Sequence, residues 1–248
     1  MMSGCANMGS CLLSKGKRSH CWAVAALALA FTFSWTTSFA AGSALRASDN
    51  GFDFGHAGID FKLFHTVVLR NEGAKDITLR SANVPCECTS VQIMDTLLKP
   101  GESTSVRISL DTYSLFGPNT KQFSIQTSDP NIPKFEYPYT CTVGQWPQGL
   151  KPDPINLFFL PGHKTKKVSI PNPALDKVTV TLVDQADPVY TVAIARPEAR
   201  KGERAEVEVT PKEGLRPGTY FSSFRLRLDR SDGAGPVLLN IPVKIVRY

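Results

Sequence analysis

The chain is short of the residues that enzymes use for covalent and acid–base chemistry. Its 248 residues hold four histidines, and only His56, His65 and His163 lie beyond the first forty positions. No serine sits in a Gly-x-Ser-x-Gly context, so no Ser-His-Asp triad can be assembled. There is no Gly-rich phosphate loop and no His-Glu-x-x-His helix. Lys and Arg do not cluster with interleaved aromatics, which argues against nucleic acid as a partner. Glu203, Glu206 and Glu208 interleave with Val207 and Val209. They read as the wet face of a strand, because general acid–base work needs a sheltered cleft to shift a carboxylate pKa. A helical period is missing as well.

Acidic residues are absent from positions 1–40, which carry Lys15, Lys17 and Arg18 followed by an apolar run from Trp22 to Trp35. That run is short for a bilayer span, and Ser38-Phe39-Ala40 supplies the small residues a signal peptidase reads. Residues 1–40 are therefore expected to be a signal peptide, with an uncleaved anchor as the alternative and Met8 as a second candidate start. No cysteine follows the run, so a bacterial lipid-attachment site is lacking. Cleavage leaves 25 of the 28 basic residues against 22 acidic ones. The mature charge is then +3, and the basic balance is partly a targeting feature. A periplasmic, secreted or cell-surface protein is expected, with no membrane span after cleavage.

What the mature chain does contain is a repeat. An offset of 101 residues places Val67 and Leu69 on Val168 and Ile170, Asn71 on Asn172, and Ile77 and Leu79 on Val178 and Val180. The same offset carries Val91 and Ile93 to Val192 and Ile194, Gly101-Glu102 to Gly202-Glu203, Val106 and Ile108 to Val207 and Val209, and Phe123 to Phe224. Matched positions are mostly two apart, the period of half-buried strands, with Arg107, Arg225 and Arg227 on the opposite face. Turn signals such as Asn71-Glu72-Gly73 and Lys99-Pro100-Gly101 separate the runs. Each unit thus predicts about seven short strands, the size of an immunoglobulin-like sandwich. The expected organisation is all-β: two tandem immunoglobulin-like β-sandwiches at 50–144 and 155–248, joined by a stiff proline-rich linker at 145–154. Trp146 is expected to pack between the domains or to cover the end of the first core.

Six cysteines are present, but Cys5, Cys11 and Cys21 fall in the segment to be removed. Cys86, Cys88 and Cys141 remain, an odd number in a compartment where disulfides persist. Their repeat counterparts Asp187 and Val189 are not cysteines, so the fold does not require the thiols. Three readings stay open. Cys141 pairs with Cys86 or Cys88, closing a long loop worth roughly 3–4 kcal/mol if unstrained. Alternatively Cys86 and Cys88 share a strand face and act together, either as a readily reduced redox couple or as ligands for Cu(I) or Zn(II), with His65 as a third ligand. Finally, the thiols are inert core groups, Cys141 being in phase with Tyr137, Tyr139 and Val143. His65 then has a purely structural reading as a hydrogen-bonded side chain on a half-buried strand.

His65 two residues before Val67, Asn71-Glu72-Gly73, Cys86-Glu87-Cys88-Thr89, Pro100-Gly101-Glu102 and Ser128-Asp129-Pro130 occur in this order over residues 52–143. This pattern resembles a bacterial exported family known as domain of unknown function 1573. Glu87 departs from the family's usual glycine at that place, where a charged side chain restricts the turn. The resemblance implies an immunoglobulin-like fold akin to sperm-protein and ciliary Hydin-type domains, and it implies no activity. The expected function is a non-catalytic binding or scaffolding protein of the bacterial envelope, contacting an envelope protein or glycan through loops or an open sheet edge. Thiol-redox or copper handling by Cys86 and Cys88 is the alternative, and a substrate-positioning domain of a larger enzyme is a third reading.

Overall fold

A computed structural model describes residues 44–184 and 187–248; the expected signal segment lies outside them. The described strands are β1 (Leu45–Ala47), β2 (Phe52–Ala57), β3 (Lys62–Asn71), β4 (Ile77–Asn83), β5 (Thr89–Ile93), β6 (Leu97–Leu98), β7 (Ser103–Asp111), β8 (Gly117–Thr127) and β9 (Lys134–Val143). After a 3-10 turn at Pro147–Gly149 come β10 (Leu157–Phe159), β11 (Lys166–Pro171), β12 (Lys177–Leu182), β13 (Tyr190–Arg196), β14 (Glu198–Arg200), β15 (Arg204–Pro211), β16 (Gly218–Arg230) and β17 (Val237–Arg247). No α-helix occurs among the described residues, and none of their helices is long and apolar enough to cross a membrane. The cause is visible strand by strand. In β7, Thr104, Val106, Ile108 and Leu110 are buried while the residues between them face outward; β15 does the same with Ala205, Val207 and Val209. Such two-residue alternation fills one face of a strand and wets the other.

The two halves are built to one register. Val67 pairs with Val106 as Val168 pairs with Val207, and Val91 with Ile108 as Val192 with Val209. Ile77 pairs with Leu98 as Val178 with Ala199, and Leu79 with Thr127 as Val180 with Leu228. Even the parallel pairing of β2 with β9 recurs, as β10 with β17. The repeated offset is therefore a repeated ladder. It slips in two places: Phe123 pairs with Tyr137 but Phe224 with Ile241, because the β16–β17 hairpin holds three more residues between these partners, and Ala82 pairs with Ile125 across a bulge where Leu182 pairs with Leu226.

A buried asparagine anchors each half at the same point. Asn71 Nδ2 donates to the carbonyls of Lys75 and Leu98, both at 2.8 Å, and its Oδ1 accepts from Gly73 N–H. Asn172 Nδ2 donates to Leu175 and Ala199 at 2.8 and 2.9 Å, and its Oδ1 accepts from Leu175 N–H. Each side chain satisfies at least one carbonyl that would otherwise be buried unpaired, that of Leu98 or Ala199. Beside each asparagine, Gly101 and Gly202 take φ of 82° and 83°, the left-handed region open to glycine. Their N–H groups donate to the carbonyls of Asn71 and Asn172.

Buried side chains gather in two clusters, one from Leu45 to Val143 and one from Leu150 to Ile245. β1 thus extends the first cluster ahead of residue 50, and Leu150 belongs to the second, ahead of residue 155. Trp146 packs against the second cluster. It does not cover the end of the first core, since the chain turns at Pro147–Gly149 and carries the indole and Leu150 to the second. Both clusters lie in one unit, residues 41–248.

The halves are also sewn together. β2 pairs with β17 through His56 and Leu239, making one ten-stranded sheet that runs through both. The approach is close: a Cβ on Gly55 would sit 2.6 Å from Leu238 O, so only glycine fits. Asn240 Nδ2 donates to Phe54 O at 3.0 Å in the same buried seam. Two arginines expected on a wet face are part of this contact. Arg107 Nη2 donates to Phe221 O at 3.0 Å, and Arg225 Nη1 donates to Asp53 O at 2.7 Å. Period-two alternation assigns a face to a residue but does not say whether a second sandwich covers that face.

Candidate functional site

The flank of the first sandwich between β4 and β5 is open. β5 is an edge strand, pairing only with β7. Met94 N–H donates to Ser105 O and Cys88 O accepts from Asp111 N–H, so the even-numbered backbone groups face β7. By the antiparallel pattern, the N–H and C=O of Val91 and Ile93 face outward. Across from them, β4 is paired with β6 only at Ile77 and Thr78, and its ladder with β8 is irregular between Leu79 and Ala82. The space between the two edges is a groove of about 560 Å³ lined by Arg80, Ala82, Val91, Ile93 and Thr96 among others. One end of that flank is closed by the segment Val84–Cys88, which joins β4 to β5.

Cys86 and Cys88 lie in this segment as a turn, not on a strand face as expected, because Thr89 N–H bonds back to Cys86 O at 3.2 Å. Their sulfurs are bonded to one another. Of the pairings open to three cysteines, this is the one the structure adopts. Cys141 is a free thiol buried in the first core, and burial pushes its pKa up to about 12. Directly beneath the disulfide sits Thr89, whose Oγ1 lies 3.6 Å from Cys86 Sγ and 3.8 Å from Cys88 Sγ. The same hydroxyl is 2.6 Å from Tyr139 OH, and both Thr89 and Tyr139 are buried. Burial raises the Tyr139 pKa, so the phenol keeps its proton.

His65 is placed elsewhere. On β3 it stacks on Phe52 with ring centroids 3.4 Å apart, and its Nε2 lies 2.9 Å from Tyr137 OH. Tyr137 OH donates to Asp49 Oδ1, and Asp49 Oδ2 lies 3.6 Å from His65 Nε2. Burial lowers the His65 pKa to about 4 against the opposing pull of Asp49, so the ring is neutral near pH 7. The far face of Phe52 carries Arg225, 3.9 Å from the ring centroid, itself paired with Asp184 at 2.7 Å. A stack of His65, Phe52 and Arg225 thus crosses from one half of the molecule to the other. Among the described residues no group of three or more His, Cys, Asp or Glu is placed to hold a metal ion. Cys86, Cys88 and His65 are accordingly not gathered into one ligand set.

The remaining sequence candidates have local roles. Lys167 pairs with Glu206 and Glu208 at 3.6 and 3.2 Å on the surface of β15, and Glu203 Oε2 accepts from Arg200 N–H in the turn before it. His56 Nδ1 lies 2.8 Å from Gln145 O, and His163 Nδ1 accepts from Leu160 N–H. Asp184 and the Phe52–Arg225 stack carry no sequence signal by themselves, whereas Thr89 closes the Cys86-Glu87-Cys88-Thr89 motif.

Residues 43–136 match the family described as HYDIN/CFA65/VesB-like, Ig-like domain. The match covers less than half of the chain. No curated protein matches the chain in sequence. Among solved structures, the chain is similar to the VesB protease of Vibrio cholerae, at 16% identity over 41% of this chain and 32% of that one, with a TM-score of 0.32. It spans about a third of that protease. It is also similar to the ASH/PapD-like domain 7 of human CEP192, at 11% identity over 42% and 87% of the two chains, TM-score 0.35. The periplasmic chaperone SfaE is a third, at 12% identity over 82% and 100%, TM-score 0.30.

Proposed function

We propose that this is an exported, non-catalytic binding or scaffolding protein of the bacterial envelope, whose first sandwich takes up an extended segment of a partner protein along β5. The observation that carries the reading is the open flank, with the backbone of Val91 and Ile93 unpaired beside a groove of about 560 Å³. An unpaired edge adds a strand through main-chain hydrogen bonds, and the groove receives alternate side chains. Export is supported by the charged flank, apolar run and small-residue exit of residues 1–40. The order of motifs from His65 to Pro130 supports placing the first sandwich with domain of unknown function 1573.

Photo-crosslinking from Gln92 in intact cells tests the reading. Adducts with one envelope protein are expected, and Ile93→Pro, which removes an outward N–H from an edge strand that tolerates proline, abolishes them. Absence of adducts, or adducts indifferent to the proline, overturns strand addition. A glycan ligand would show as an adduct without protein mass.

A second reading, thiol chemistry at Cys86 and Cys88, is favoured by one observation, the bond between them. Its copper-handling form applies only to the reduced pair, because thiolates and not a disulfide ligate soft metals.

A further inference from the structure

The turn that joins β4 to β5 has a counterpart in the second half, and the two are closed differently. There Asp187 Oδ1 accepts from Val189 N–H at 2.8 Å, spanning the same two-residue separation with a hydrogen bond. Both turns then hand the chain on identically: Asp111 N–H donates to Cys88 O at 2.7 Å, and Lys212 N–H to Val189 O at 2.9 Å. The ladder is therefore achieved without a covalent link. A ring closed across so few residues also removes little chain entropy from the unfolded state, so stabilisation is a weak reason for the bond.

The surroundings of the disulfide supply a better one. Thr89 Oγ1 reaches both sulfurs at nearly equal distance, 3.6 and 3.8 Å. Tyr139 OH lies 2.6 Å from that oxygen, a contact either hydroxyl can donate; with the buried, protonated phenol as donor, the Thr89 hydroxyl proton is free to point at sulfur. Cys86 and Cys88 themselves are only half-buried. A buried donor thus backs a bond that solvent can reach from the other side.

We infer that Cys86–Cys88 is a thiol–disulfide exchange site for a dithiol protein of the same compartment, with the Thr89 hydroxyl stabilising the thiolate that leaves. The inference rests on the thiol reading above and adds a residue and a partner class to it. A thiolate of the partner attacks one sulfur, the Sγ–Sγ bond breaks, and its electron pair passes to the other sulfur. That thiolate takes the Thr89 hydrogen bond and then a proton from water. Either sulfur can be the leaving one, since the hydroxyl reaches both. The partner's second thiol, once deprotonated, attacks the mixed disulfide and releases the remaining cysteine. Two electrons and two protons have then moved from the partner dithiol, now a disulfide, to Cys86 and Cys88. Cys141 takes no part: it is buried, unbonded and held protonated by its setting. Resolution therefore belongs to the partner.

The test follows reduction of the pair in the folded, purified chain by dithiothreitol, with alkylation and mass spectrometry reading the Cys86–Cys88 peptide and circular dichroism reading the strands. Reversible two-electron reduction without loss of strand signal is expected. Thr89→Val slows it about tenfold, the loss of one hydrogen bond to a charged sulfur. Thr89→Ser restores the rate and Cys141→Ala leaves it unchanged. Equal rates for wild type and Thr89→Val, both folded, overturn the role of the hydroxyl. A pair that yields only when the chain unfolds overturns the thiol reading itself.

Discussion

The two sandwiches are the same ladder with different fittings. Most strand pairings, the buried asparagine and the left-handed glycine coincide at an offset of 101 residues, while the turns before β5 and β13 do not. In the first half that turn is closed by sulfur and stands over a buried hydroxyl pair; in the second it is closed by a carboxylate, with Ser222 Oγ also donating to Asp187 Oδ2 at 2.5 Å. What is shared specifies the fold, and what differs is the closure of one turn, a disulfide in one half and a carboxylate in the other.

The largest effect that can break the comparison concerns the asparagines. Asn172→Ala strands two buried carbonyls and Asn71→Ala a buried and a part-buried one, and each should cost about 3 kcal/mol in urea titrations. A large cost at one and none at the other would mean that the shared register conceals different anchoring. Next comes acid. The His65 pKa is lowered to about 4 in the folded chain from the ordinary value of 6.5. The unfolded chain therefore binds the proton more tightly. The contribution is complete above pH 6.5 and is lost as pH falls from there through 4, a change on the order of 2 kcal/mol. His65→Phe should flatten that part of a stability–pH curve. Lys166, the counterpart of His65, occupies the site in the second half, so its substitution by Met should leave this slope in place.

Smaller is the contrast between the two turn closures. Replacing Cys86 and Cys88 together by serine removes a tie worth roughly 1.5 kcal/mol for so short a loop. Asp187→Ala removes two hydrogen bonds of about the same combined worth. Thermal melts of both should shift alike, and a much larger shift for the cysteine pair would make the disulfide a structural staple. The smallest effect is conformational. A Cβ added at Gly101 or Gly202 meets nothing within 4 Å, so each alanine pays only for a positive φ, about 1 kcal/mol. Matched losses in denaturant midpoints are expected.

Much of this was legible in the residues. Alternation in Val106-Arg107-Ile108 or Glu206-Val207-Glu208 names strands, and the 101-residue match of Asn71 to Asn172 names a repeated unit. The pairing of Cys86 with Cys88 was one of several options, since spacing does not rank a short loop against a long one. Their spacing of two suggests a strand face, but the chain turns there after Pro85, with Thr89 N–H bonded to Cys86 O. Alternation places Arg225 on a wet face, yet its side chain is 14% exposed between Phe52 and Asp184. An outward position looks the same in sequence whether water or another sandwich lies beyond it.

By itself, the order of residues determined the all-β class and the twofold ladder, because a period of two and a constant offset are local and repeated signals. Only the tertiary structure decided that β2 and β17 join into one sheet, that Trp146 goes to the second core, and that His65, Phe52 and Arg225 stack across the halves. Those contacts link residues as far apart as Phe54 and Asn240. They depend on how finished surfaces meet, a fit of shapes and charges that no neighbouring residues encode.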